Sequence, residues 1–143
     1  MSDPFQLERF VDAQKSTYQN VVAELRSGRK TSHWIWFIFP QLKGLGHSWM
    51  ADKYGIGSRA EARAYLAEPT LGPRLIECVE LVCQVPNGNI VQILGRPDDM
   101  KFRSSMTLFA LIQTDCDIFR KALDQYFDGQ QDVLTERLLA KMP

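Results

Sequence analysis

The run Ser32-His33-Trp34-Ile35-Trp36-Phe37-Ile38-Phe39-Pro40-Gln41 restricts the fold more than any other part of the chain. Its apolar stretch, Trp34 to Phe39, cannot all lie along one stripe of a surface helix or one face of a strand, so it must be buried on most sides. Large aromatic side chains each bury about 150–250 Å², so this stretch offers neighbouring elements a common packing surface. Ser32 is placed to cap a short buried helix that Pro40 stops. A buried strand is the competing reading; it fails because no partner strands are apparent elsewhere in the sequence.

The remainder reads as helices around this hub. From Pro4 to about Ser27, Leu7, Phe10, Val11, Tyr18, Val21, Val22 and Leu25 recur at helical spacing, with Asp3 as N-cap, Gly28 as stop and a break near Ser16-Thr17. Gln14 falls inside that apolar stripe and needs a buried partner. Ser48 precedes a short helix through Tyr54, and Ser58-Arg59-Ala60-Glu61 has the spacing of a capping box for a helix ending before Pro69. Thr70 is expected to cap the next helix, which carries Leu71, Leu75, Cys78, Val79 and Val82 until Pro86-Asn87-Gly88 breaks it. Asn89 opens a turn closed by Gly95. A helix starting at Asp98 and Asp99 becomes apolar nearly all round between Met106 and Ile112. Thr114 or Asp115 is expected to cap a helix through Phe127, and Asp132 begins the last. The pattern predicts an all-α fold: one compact domain over 1–143, about seven to nine mostly short helices, packed irregularly and orthogonally.

Seventeen basic and seventeen acidic residues balance, which gives no bulk field to attract nucleic acid or an anionic membrane. No apolar run approaches the roughly 18 residues of a membrane span, and Met1-Ser2-Asp3-Pro4 lacks the features of a signal peptide, so a cytoplasmic location is expected. Cys78, Cys83 and Cys116 form no Cys-x-x-Cys pair, and their odd number points to reduced, mostly buried thiols. His33 and His47 lack metal-ligand spacing, and neither a Walker A loop, a Gly-x-Gly-x-x-Gly turn nor a serine-nucleophile elbow is present. No cofactor is expected.

Three groups of residues can carry chemistry. His33, Trp34, Trp36 and Gln41 could hold a planar ligand by stacking and hydrogen bonds, or serve only as core and rim. Lys101, Ser104 and Ser105 share a helix face near Arg103 and could hold a phosphate or carboxylate, although Asp98 and Asp99 would repel an anion at the helix terminus itself. The alternative is charges covering the core while hydroxyls bond backbone carbonyls. Glu8 and Lys15 lie at nearly the same azimuth on the border of the first apolar stripe, with Gln14 inside it. A carboxylate there can transfer protons or stabilise a developing positive charge, or form an ordinary exposed pair with Lys15.

The segments Glu8-Arg9-Phe10-Val11-Asp12-Ala13-Gln14, Ser32 to Gln41, Leu71-Gly72-Pro73-Arg74-Leu75 and Lys101-Phe102-Arg103-Ser104-Ser105-Met106-Thr107-Leu108-Phe109 resemble the bacterial domain-of-unknown-function family numbered 1810. Some of its members carry a calpastatin label. That resemblance spans almost the whole chain and implies a compact all-α fold. Separately, Glu8 to Lys15 is similar to the Glu-His-Tyr-x-x-Ala-Gln-Lys segment of the NADAR family, which includes N-glycosidases acting on ribosylated or ADP-ribosyl-linked compounds. This second likeness implies that Glu8 is the functional carboxylate, with Gln14 and Lys15 beside it and Arg9 and Phe10 replacing His and Tyr.

The first functional expectation is therefore a protein binding a phosphorylated or nucleotide/ADP-ribose-like small molecule. Glu8 would support N-glycosidic hydrolysis, Trp34 or Trp36 would stack on a base, and Lys101 or Arg103 would meet phosphate. The second is a non-catalytic protein–protein interaction module using the aromatic hub. Convergence of Glu8, Gln14, His33 and Arg103 on one concavity favours the first; a flat patch of exposed tryptophans favours the second.

Overall fold

Ten helices follow one another in the computed structural model, which describes residues 3–143. The first amphipathic stretch divides at Ser16-Thr17, as its sequence indicates, into α1 (Glu8–Lys15) and α2 (Tyr18–Arg26). That division carries the total past seven to nine. Asp3 caps the entry to α1, its two carboxylate oxygens accepting the Leu7 and Glu8 N–H groups at 2.8 and 3.1 Å. Gly28, at φ +83°, turns the chain after α2.

The hub becomes a single turn, α3 (Ile35–Ile38), with Trp34, Ile35, Phe37, Ile38 and Phe39 all buried. Ser32 does not cap it, because the Glu24 carboxylate of α2 reaches the loop first: the Ser32 hydroxyl donates to Glu24 Oε2 at 2.7 Å, and the N-cap residue, Trp34, makes no side-chain cap. Then follow α4 (Trp49–Tyr54), α5 (Arg59–Ala67), α6 (Leu71–Cys83), α7 (Ile90–Leu94), α8 (Asp98–Ile112), α9 (Ile118–Phe127) and α10 (Val133–Ala140). Ser48, Ser58, Asn89 and Asp132 cap their helices through side-chain oxygens; the capping-box spacing points to Ser58, and the other three stand at the element starts read from the sequence. Thr70, Thr114 and Asp115 do not cap. At α6 the Glu68 carboxylate takes the Thr70 and Leu71 N–H groups at 3.1 and 2.9 Å, while α9 starts after Asp117 without a side-chain cap.

Helix α8 is central, with Phe102, Met106, Leu108 and Phe109 fully covered, and it packs against α3, α5, α7, α9 and α10. Aromatic rings link the layers: Trp34 to Phe39 at 6.1 Å and Phe39 to Phe102 at 4.8 Å on one side, Tyr65 to Phe109 at 5.7 Å and Phe109 to Phe119 at 5.6 Å on the other. Among the described residues there is no strand, only an isolated parallel bridge between Leu42 and Ile56.

The corner between α5 and α6 depends on Gly72, where a Cβ would come within 2.1 Å of the Leu66 carbonyl oxygen. Backbone cannot yield as a flexible side chain would. Gly72→Ala is therefore expected to destabilise the protein by about 1–3 kcal/mol, measured by urea unfolding; an unchanged midpoint would contradict this packing.

Candidate functional site

The N-terminal turn and α1 face α5 and the corner before α6 across a groove of about 760 Å³. Phe5, Leu7, Val11, Ala64 and Pro69 give it an apolar wall, and its charged groups among the described residues are the carboxylates of Asp3, Glu8 and Glu68. Two of these carboxylates are committed to helix ends, Asp3 to the Leu7 and Glu8 amides and Glu68 to those of Thr70 and Leu71. Glu8 is exposed, and no hydrogen bond to its carboxylate forms among the described residues. It is the acidic group in this groove that is available to a ligand.

Across the N-terminal turn lies a second depression of about 540 Å³, bordered by Arg9, Lys43 and Lys53. Arg9 is fully engaged there. Its guanidinium donates to the carbonyls of Lys53 at 2.7 Å, Phe5 at 2.6 Å, Gln6 at 3.0 Å and Gly55 at 3.0 Å, and pairs with Glu61 at 2.7 Å. This residue welds α1 to the α4–α5 connection.

The other sequence-predicted site residues are dispersed. Gln14 is 1% exposed, and its amide is used internally: Nε2 donates to the Phe37 carbonyl at 2.7 Å and to the Tyr65 hydroxyl at 3.3 Å, while Oε1 accepts from Arg74 at 3.3 Å. It has the buried partner its position demands and is out of reach of a ligand. Trp34 is likewise buried, its indole donating to Glu24 at 3.0 Å. Lys15 and His33 are exposed and Gln41 half-buried, and none of the three lines the Glu8 groove. Arg103 donates to the Gln130 and Gln131 carbonyls at 2.9 and 3.2 Å, fastening α8 to the approach to α10. Ser104 bonds the Met100 carbonyl within its own helix at 3.1 Å. Trp36 and Lys101 do come together, the ammonium 4.8 Å from the ring centroid. Glu8, Gln14, His33 and Arg103 therefore do not converge on one concavity.

Sequence reasoning missed two polar clusters. In the first, Glu24 accepts from the Thr31 and Ser32 amides, the Ser32 hydroxyl and the Trp34 indole at 2.7–3.0 Å. Desolvation would raise this carboxyl, but the bonds from Ser32, Thr31 and Trp34 outweigh it and lower it from 4.5 to about 2. A depressed folded pKa contributes stability that is fully present above about pH 4.5 and is lost as pH falls towards about 2. Thermal melts are expected to show Glu24→Gln less stable than wild type at neutral pH, with the difference closing across that acid window. A constant gap would contradict the assignment.

The second cluster joins α2 to α6. Tyr18 donates its hydroxyl to Glu77, the Cys78 thiol donates to the Tyr18 oxygen at 3.8 Å, and the Arg74 guanidinium stacks 4.4 Å from the Tyr18 ring. Burial, then the bond to Glu77, pushes the Tyr18 hydroxyl up, and burial pushes the Cys78 thiol up to about 12. Such a thiol stays protonated and is not a nucleophile. Among the described residues, no three His, Cys, Asp or Glu side chains gather as metal ligands, and no helix is long and apolar enough to cross a membrane.

The family described as “Protein of unknown function (DUF1810)” matches residues 4–139. The chain belongs to this family. It is also similar to the conserved hypothetical protein Rv1873 from Mycobacterium tuberculosis, whose crystal structure shares 54% sequence identity with it. That match covers 96% of this chain and 99% of the other, with a TM-score of 0.95. No curated protein matches the chain. The all-α fold implied by the sequence resemblance to this family is the fold observed.

Proposed function

We propose that this is a cytoplasmic protein that binds a ribosylated small molecule in the groove beside Glu8, and that Glu8 supports cleavage of its N-glycosidic bond. The supporting observation is the availability of Glu8 beside an apolar wall, where the other two carboxylates are tied to backbone amides. A carboxylate so placed can stabilise an oxocarbenium-like transition state or activate water. The likeness of Glu8 to Lys15 to the NADAR segment adds to this reading, since it puts Glu8 at that family's functional carboxylate. The lining also selects among ligands. With no cation among the described residues that line the groove, the sugar and base of a nucleotide- or ADP-ribose-like compound seat against the apolar wall, and any phosphate projects into solvent. An interaction module built on the hub has less support, because Trp34, Ile35, Phe37, Ile38 and Phe39 are buried.

A thermal-shift panel of ribosylated pyrimidines, nucleotides and ADP-ribose tests the binding half. At a hundred times its Kd a ligand adds about 2.7 kcal/mol, which raises Tm by roughly 5–10 °C in a domain of this size. The same rise is expected with Glu8→Gln, which keeps the groove's shape. No shift with any member of the panel would remove the proposal.

A further inference from the structure

The seam between α3 and α8 retains polar groups that neither the fold nor the Glu8 groove uses. The Trp36 indole Nε1 is covered and has no hydrogen-bond partner among the described residues; the same holds for the hydroxyl of Ser105, a residue with no exposed surface. Its neighbour Ser104, by contrast, is satisfied by the Met100 carbonyl. Lys101, one helical turn before Ser105, holds its ammonium 4.8 Å from the Trp36 ring. In helical projection Ser105 falls between Lys101, which meets Trp36, and Phe102, which meets Phe39. Ser105 therefore faces α3, the helix that carries the orphaned indole. Asp99, whose Oδ1 is also buried without a partner among the described residues, projects from a different face of α8.

These groups are matched to one chemistry. An indole N–H and an ammonium can only donate, and a hydroxyl can donate too, so the missing partner is an acceptor. The nearby carboxylate, Asp98, is held mainly by Lys30 at 2.8 Å, whereas Lys101 stands 3.8 Å from it. Lys101 is thus the less committed cation. We propose that the α3–α8 seam binds an oxyanion, a carboxylate or a phosphate. Its oxygens accept from Trp36 Nε1 and Ser105 Oγ while Lys101 supplies the countercharge. The lysine side chain, 25% exposed, lies over the indole and swings outward to admit the anion. None of these residues lines the Glu8 groove, so the site stands or falls independently of the function proposed there.

The indole N–H resonances of the three tryptophans report on this directly in ¹H–¹⁵N spectra. Trp36 is assigned by its loss in Trp36→Phe, and the protein is titrated with inorganic phosphate, with acetate, and with chloride at matched ionic strength. The Trp36 resonance should move downfield and saturate with an oxyanion, while that of Trp34, already bonded to Glu24, stays in place. The lower saturating concentration distinguishes a phosphate site from a carboxylate site. Lys101→Met, a change at a partly exposed side chain, should weaken the response about tenfold, with an unmoved Trp34 resonance showing that the fold is intact. A Trp36 resonance that ignores both oxyanions, or responds equally to chloride, would overturn the proposal.

Discussion

Replacing Gln14 by leucine is expected to destabilise the protein by about 2–4 kcal/mol, although it makes a fully buried position more hydrophobic. The reason lies at the end of α3. That helix stops after one turn, so the Phe37 carbonyl lacks a continuing backbone donor, and the Gln14 amide takes its place at 2.7 Å. The same amide donates to Tyr65 and accepts from Arg74. Leucine would leave the Phe37 carbonyl with only the Tyr65 hydroxyl at 3.5 Å and would deprive Arg74 of its acceptor. Each lost bond counts for about 0.5–1.5 kcal/mol, and an orphaned buried group for more. In a domain of this size the loss corresponds to a fall of roughly 5–15 °C in Tm, measured by calorimetry with urea unfolding as a second readout. An unchanged Tm would mean that this network is not what Gln14 is for.

The physical basis of what could be read from sequence is clearest at the helix caps. Ser48, Ser58, Asn89 and Asp132, each at an element start read from the sequence, all cap, and all four have extended backbone, with ψ of 161°, 165°, 128° and 118°. Thr70 has the right chemistry, but its φ and ψ of −95° and −47° are already helical, which turns its hydroxyl away from the amides that Glu68 satisfies. Residue type was legible there; backbone conformation was not. Burial of the hub was legible too, because an unbroken apolar run has no other stable place, and Trp36 is the tryptophan of that run left partly outside.

The candidate site was legible only in part. Helical phase puts Glu8 at the border of the α1 stripe, where it now lines a groove. The same phase separates it from Gln14, six residues on and so about 120° round the helix, which is why the two never share a ligand. The Glu24 cluster has no signature in the sequence, because its donors are loop amides brought back to α2 by the turn at Gly28.

The largest expected effect is on chemistry. Glu8 is exposed and unbonded among the described residues, so Glu8→Gln should cost only the favourable placement of its charge in the first turn of α1, about 0.3–1 kcal/mol, and lower Tm by a few degrees at most. It should nevertheless slow N-glycosidic cleavage by about 10²- to 10⁴-fold, the usual contribution of a positioned acid–base group. An amide can neither take a proton from water nor balance the positive charge that develops on the sugar. The deciding measurement is chromatographic quantification of free base released from the ribosylated compound that most raises Tm, by wild type and Glu8→Gln in parallel. Base release by wild type with loss of at least about a hundredfold in the variant is the predicted result; no release by wild type, or equal rates in both proteins, would contradict the account.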